Sequence, residues 1–353
     1  MMTNSKQVMI PSVVGVGDTD LGMLSLGDLA GRQKTPLTVS WGEVSYLVGE
    51  YVALFARPVE RLDFGRLADG AELRALVYAT LGKLLGKGPH PALHLMVGLP
   101  VEVMLDREAA KTTRRALRGW LLGPHEFSLN GTAVEMEVAS LEVMAQPAGT
   151  FFAWGMSDGG RWVREAEALE IPIGVCDIGF NTVDLFSLQG GGIAKRYTDG
   201  DALGMRRTVE VLVETIARNY QIDLSLHEAD ALMRQKEPVL YGAMGKVDLR
   251  EAVAQALEAG AGQIVAYLNR KWGNGRNFAH TLLTGGGAEA LKATLLRHYP
   301  HATILPEAVT ANALGLARYA RHTFGTHGTV IGLDPGFGGF KATALFPAPN
   351  GKV

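Results

Sequence analysis

The sequence predicts an α/β fold of two domains. Strand-like and helix-like segments alternate along the chain, which is the pattern of layered sheets and helices. A strand, an Asp-x-Gly turn and a second strand occur twice, as VCDIGFNTVDLFSL from Val175 and IGLDPGFGGFKATAL from Ile331. The length of 353 residues suits two domains, each of about 150–180 residues.

The strands are expected at Val8–Val14, Leu93–Leu99, Ile173–Asp177 with its continuation Thr182–Leu188, His280–Leu283, and Val330–Asp334 followed by Phe340–Phe346. Each is an apolar run bounded by turn residues. Helices are expected over Glu72–Leu85, Leu203–Tyr220, Leu249–Leu268 and Glu307–Arg321. In the second of these Val209, Leu212, Val213 and Ile216 share one face, and Val253, Leu257, Ile264 and Leu268 do so in the third.

Composition excludes several classes. Hydrophobic residues are 47% and charged residues 20% of the chain, a balance that builds sizeable cores. A formal net charge of −2 gives no electrostatic footprint for direct nucleic-acid or anionic-membrane binding, so contact with DNA is expected to run through another protein. The single Cys176 cannot form an intramolecular disulfide, and MMTNSKQ lacks the apolar core of a signal peptide. No apolar run approaches the roughly 20 residues of a membrane helix, so a cytoplasmic protein is expected.

The two hairpins carry the clearest chemistry. A tight glycine turn between strands can gather backbone N–H groups into a nest for phosphate oxygens. An aspartate at the end of the first strand, Asp177 or Asp334, can hold Mg²⁺ through water. Lys341, seven residues after Asp334, can lean back over its turn as a point charge. Ordinary hairpins use the same residue types, and the recurrence of the pair favours phosphate binding. In LLTGGGAEAL, a strand runs into Gly285, Gly286 and Gly287, which let the backbone approach a flat ligand before a helix begins. In AQPAGTFFAW, Gln146 precedes Pro147 at a helix start, where it either orients a water for in-line attack or merely caps the helix. His298 and His301 flank Pro300 and read as a surface turn rather than a metal site, and Cys176 reads as a core residue.

Together these residues resemble the actin, sugar-kinase and heat-shock-chaperone ATPase superfamily, and within it the ParM/StbA-type plasmid-segregation actins. Asp334, Gly336, Gly338 and Lys341 match the first phosphate motif, with Phe337 and Gly339 in the same loop. Asp177, Gly179, Thr182 and Asp184 match the second, where Phe180 replaces the usual second glycine and Asn181 a threonine or serine. Gly285–Gly287 match the adenosine motif, and Gln146 falls where the family carries its water-orienting residue. IPSVVG from Ile10, VGLPV from Val97 and TANALG from Thr310 are further family-like segments.

The resemblance implies an actin-like (ribonuclease H-like) fold, circularly permuted, because the first phosphate hairpin of the family opens the chain and here closes it. It implies domain I from residues 1–172 plus 305–353, containing the relocated hairpin 329–347, and domain II from 173–304. Mg²⁺-ATP, with GTP as an alternative, would lie between them. Asp334 and Asp177 would organise the metal, Gln146 the attacking water, and the glycine loops with Asn181, Thr182 and Lys341 the nucleotide. The implied function is an ATPase that polymerises into filaments for plasmid segregation through a DNA-bound adaptor protein, without a membrane partner. A phosphotransferase of the same superfamily is the alternative; it would need a carboxylate base beside an acceptor pocket. A chaperone-like module would need a further peptide-binding domain.

Overall fold

The computed structural model describes residues 5–21, 33–59, 64–242, 245–325 and 327–347. Two compact units form, Met1–Arg164 with Asn312–Val353, and Glu165–Ala311. The resemblance implied divisions after residues 172 and 304.

In chain order the first unit contains β1 (Ser5–Pro11), β2 (Val14–Val16), β3 (Leu37–Trp41), β4 (Val44–Val48), α1 (Ala71–Leu85), β5 (Gly88–Leu99), α2 (Val101–Leu105), α3 (Arg107–Leu121), β6 (Gly123–Leu129), β7 (Thr132–Ala145) and α4 (Gln146–Gly155). The second unit contains β8 (Ile173–Ile178), β9 (Val183–Gln189), β10 (Gly192–Ile193), β11 (Asp199–Asp201), α5 (Met205–Tyr220), α6 (Leu226–Met233), β12 (Val239–Gly242), β13 (Gly245–Asp248), α7 (Arg250–Trp272), β14 (His280–Thr284), α8 (Gly285–Ala290), α9 (Lys292–His298) and β15 (Thr303–Ile304). The chain then returns to the first unit with α10 (Ala311–Phe324), β16 (Thr329–Pro335) and β17 (Gly339–Leu345).

In the first unit the strands form one sheet in the order β1-β17-β16-β5-β7-β6-β3-β4-β2. The C-terminal hairpin is therefore internal to the sheet: β17 runs antiparallel to β1 with Ser5 opposite Leu345, while β16 runs parallel to β5. Their inward residues explain why. Val330, Ile331, Leu333, Ala342 and Ala344 are all buried, as fits strands covered on both faces. α1 is buried almost all round, with Leu76, Leu81 and Leu84 at 0% exposure, so it lies against the sheet at β17 and β1 rather than presenting a wet face. α3 is the opposite case. Thr113, Leu117 and Leu121, four residues apart, form its single buried stripe. Its start is set by Asp106, whose carboxylate accepts from the amides of Glu108 and Ala109 at 2.9 and 3.0 Å.

α4 and α10 cross at backbone distance. A Cβ at Gly315 would lie 1.6 Å from the Gly149 carbonyl oxygen, so neither helix tolerates a side chain there. Thr150 Oγ1 donates to Asn312 Oδ1 at 2.7 Å across the same crossing, which accounts for the TANALG segment. Arg321 on α10 is 5% exposed and donates to the carbonyls of Gly325, Gly328 and Leu345, tying the helix end to the end of β17.

The second unit has a sheet in the order β10-β9-β8-β14-β15, with β11 pairing on β9 and β12–β13 forming a separate hairpin. α5 buries Val209, Leu212 and Ile216 but leaves Val213 half-buried, so the expected apolar face is one residue narrower. Cys176 sits fully inside β8, and burial beside Asp177 and Asp184 pushes its thiol up, which leaves it an inert core residue. His298 and His301 are exposed, and Tyr299 between them is buried and bonded to Asn269 and Gly273, which anchors the segment.

Candidate functional site

In the first unit the site begins at the end of β16. Asp334 and Lys341 are direct partners in the β16–β17 register, on strands that must point those side chains to the same face. Lys341 Nζ lies 3.2 Å from Asp334 Oδ2. Gln146 Nε2 donates to Asp334 Oδ1 at 2.6 Å, from 188 residues away in sequence. Asp334 is 2% exposed and Gln146 6%, so the carboxylate's charge is offset by an ammonium and an amide donor instead of by bulk water. Gln146 is the first residue of α4 with Pro147 next, and being buried it is not a solvated cap. Its amide oxygen stays available as an acceptor.

Between the two strands lies the turn Gly336–Gly338. None of its glycines has a left-handed backbone; at Gly336 proximity is what excludes a side chain. A Cβ at Gly336 would lie 2.8 Å from Gly339 O and 2.9 Å from Lys341 Nζ, which places the ammonium against the turn. Phe337 is buried, and Pro335 closes β16 opposite Phe340. Ser12, just beyond β1, donates its hydroxyl to Gly336 O at 2.6 Å and its amide to Gly338 O at 3.4 Å. With these carbonyls engaged from the β1 side, the turn is held in one conformation. Sequence reasoning singled out the Ile-Pro-Ser segment without this role. The VGLPV segment was likewise singled out without a role for Gly98: a Cβ there would lie 2.8 Å from Gln146 Cγ, so a glycine at the end of β5 makes room for the glutamine.

In the second unit the loop Gly179–Thr182 joins β8 to β9. Gly179 N donates to Thr182 O at 2.9 Å, and Thr182 Oγ1 donates to Asp184 Oδ2 at 2.7 Å. The loop carbonyls turn toward the start of α5, where the amides of Gly204, Met205 and Arg206 donate to Asn181, Gly179 and Phe180 respectively. They satisfy helix donors that lack a side-chain cap. Gly204 is obligatory there, since a Cβ would lie 2.5 Å from Phe180 O. Phe180 is not in a left-handed conformation and is 8% exposed, its ring stacked on His227, so the loop needs no second glycine at that position.

The glycine triplet abuts the end of β8, just before this loop. Gly285 has φ +87°, and a Cβ on it would lie 2.4 Å from both Asp177 Oδ1 and Ile178 O. A Cβ on Gly287 would meet Ile178 Cγ2 at 2.2 Å. Gly286 faces the Arg234 guanidinium, 3.8 Å from its would-be Cβ, and Arg234 is held by Asp230. α8 is only six residues long, so the triplet provides close backbone approach rather than a long helix end.

The structure thus gathers Gln146, Asp334, Gly336–Gly339 and Lys341 in the first unit, and Asp177, Gly179, Asn181, Thr182 and Gly285–Gly287 in the second. Among the described residues, no group of three His, Cys, Asp or Glu could hold a metal.

Residues 1–149 match the family of actin-like proteins, N-terminal domain, and residues 175–297 match the archaeal actin homologue MreB-like C-terminal domain. No curated protein matches the chain. Among solved structures, a non-polymerisable quadruple mutant of pCBH ParM is 19% identical with TM-score 0.70, covering 90% of this chain and 93% of that one. The 15-stranded ParM filament from Clostridium botulinum is 18% identical with TM-score 0.67, over 90% and 93%. Ta0583, an archaeal actin homolog solved in complex with ADP, is 17% identical with TM-score 0.64, again over 90% and 93%. At such identities the likeness is one of fold.

Proposed function

This chain belongs to the actin-like superfamily, and from that premise we propose that it is an ATPase whose polymerisation into filaments is coupled to nucleotide hydrolysis. The carrying observation is the convergence on Asp334: a buried carboxylate at a strand end, flanked by Lys341 and Gln146 and adjoining a close-packed glycine turn.

Lys341 supplies a positive charge for β- or γ-phosphate oxygens, and the amides of the turn supply donors. Gln146, fixed through its Nε2 by Asp334, offers its carbonyl oxygen to align a water for attack. Asp177 and Asp334 would hold Mg²⁺ through its water shell, and the ion when bound neutralises phosphate charge. Gly285–Gly287 lie against the nucleoside. No protein nucleophile is required, since phosphoryl transfer is accelerated chiefly by position and electrostatics. Kinship of fold with ParM supports plasmid segregation through a DNA-bound adaptor as the setting. The chain order is proposed to be a circular permutation of the family's. The antiparallel pairing of Ser5 with Leu345 supports this, while the joining segments 348–353 and 1–4 lie outside the described residues.

Phosphate release and sedimentation with ATP and Mg²⁺, followed by electron microscopy, test the reading. Asp177→Ala is expected to abolish phosphate release with an unchanged circular dichroism spectrum. Gln146→Ala is expected to lower turnover by about 10²-fold while ATP binding stays within a few-fold. Unchanged turnover in both would overturn the assignment of the site, and a protein that stays monomeric at high concentration would overturn the filament.

A further inference from the structure

α3 turns a basic face away from its buried stripe. Beside it, with the end of α2 and the end of β7, is a cavity of about 600 Å³ lined by Met104, Val143, Lys111, Arg114, Arg115 and Arg118. Two of the cations are already engaged. Glu142 pairs with both Arg114 and Arg118, and Arg118 also donates to Leu141 O at 2.6 Å. Lys111 and Arg115 are exposed and have no ion-pair partner among the described residues. Leu105 beside them is 47% exposed. A concavity with methionine and arginine around an apolar wall has the composition of an interface core, and its volume accommodates a few side chains. The free charge selects an acidic occupant that also carries an apolar side chain.

The chain itself presents one. Glu165–Glu170, EAEALE, places three carboxylates in six residues, and Leu169 among them is 41% exposed. Glu167 and Glu170 have no ion-pair partner among the described residues. We propose that the α3 groove receives Glu165–Glu170 of a second copy of this chain. Leu169 enters beside Met104 and Val143, while Glu167 and Glu170 face Lys111 and Arg115. Groove and segment are different patches of each copy, and we take the contact to be heterologous, repeating head to tail, the arrangement that grows open polymers. The inference rests on the filament reading above and gives it residues. A second acidic patch among the described residues fits less well. Glu126 lies directly opposite Glu135 with Glu137 nearby, but no large apolar side chain is exposed on those strands.

The test is sedimentation of the full chain with ATP and Mg²⁺ across protein concentration. Arg115→Glu and Glu167→Arg should each raise the critical concentration about tenfold or more, the scale of removing and reversing an interfacial charge pair. The combined charge swap should restore it to within a few-fold of wild type, a rescue that misfolding cannot mimic. Glu135→Arg should leave assembly unchanged. Wild-type filaments with insensitive single variants, an unrescued double variant, or loss of assembly in Glu135→Arg would overturn the contact alone. A monomeric wild type would remove the filament reading and this contact together.

Discussion

Alanine at Gly285 and alanine at Gly262 should move stability in opposite directions, and the structure fixes both signs. At Gly285 the new Cβ would sit 2.4 Å from Asp177 Oδ1 and from Ile178 O, whereas ordinary contact begins at 3.4 Å. Atoms of β8 and the triplet must therefore part by about 1 Å, and one of them is backbone, which has no rotamer to retreat into. Overpacking of that kind costs about 1–3 kcal/mol. The φ of +87° adds about 1–2 kcal/mol for a residue with a Cβ. A total loss of about 2–5 kcal/mol corresponds to a Tm lowered on the order of 5–15 °C for a unit of this size. Gly262 lies exposed within α7 with nothing within 4 Å of its would-be Cβ. There the substitution removes only the glycine's excess unfolded-state freedom, so stability should rise by about 0.5–1 kcal/mol. Urea denaturation followed by circular dichroism measures both variants in the same unit. A Gly285→Ala protein within about 0.5 kcal/mol of wild type would refute the claim that the triplet is pressed against the end of β8 at Asp177 and Ile178.

Two further outcomes follow from α10. Arg321→Met strips the carbonyls of Gly325, Gly328 and Leu345 of their donor in a buried setting, and should lower the denaturation midpoint by an equivalent of about 2–4 kcal/mol. His94 stacks on Phe324, and burial first, then the Arg321 charge, holds its pKa below the ordinary 6.5. The unfolded chain therefore binds the proton more readily. The stability His94 contributes is complete above pH 6.5 and is lost as pH falls through that value to the lower folded pKa. Thermal melts at pH 7.5 and 5.5 should show a smaller acid-induced fall in His94→Gln than in wild type.

The hairpins were legible because their information is local. Asp177 and Asp334 close apolar strands, glycines follow, and Lys341 comes at the spacing that a short turn places opposite Asp334. The strands β3, β4 and β6 were not anticipated, and β7 was not either. Their apolar alternation is short or interrupted, as in Thr132–Ala145, where glutamates alternate with Val134, Met136 and Val138. The helix expected from Glu307 begins instead at Ala311, after turns around Glu307, whose backbone φ is +54°.

By itself the sequence determined the class of fold and the paired Asp-x-Gly turns with the residues around them, because those depend on residue type and short spacing. Only the tertiary structure decided which groups meet. Gln146 reaches Asp334 because α4 begins where β7 ends, beside β5 and β16 in the sheet, and Gly98 leaves the space. Ser12 reaches the turn because β1 pairs with β17. Gly204, Gly285 and Gly315 are obligatory because backbones distant in sequence are packed to near contact, a constraint of close-packed interiors. Strand order and helix crossing set these distances, and neither is written in any short stretch of chain.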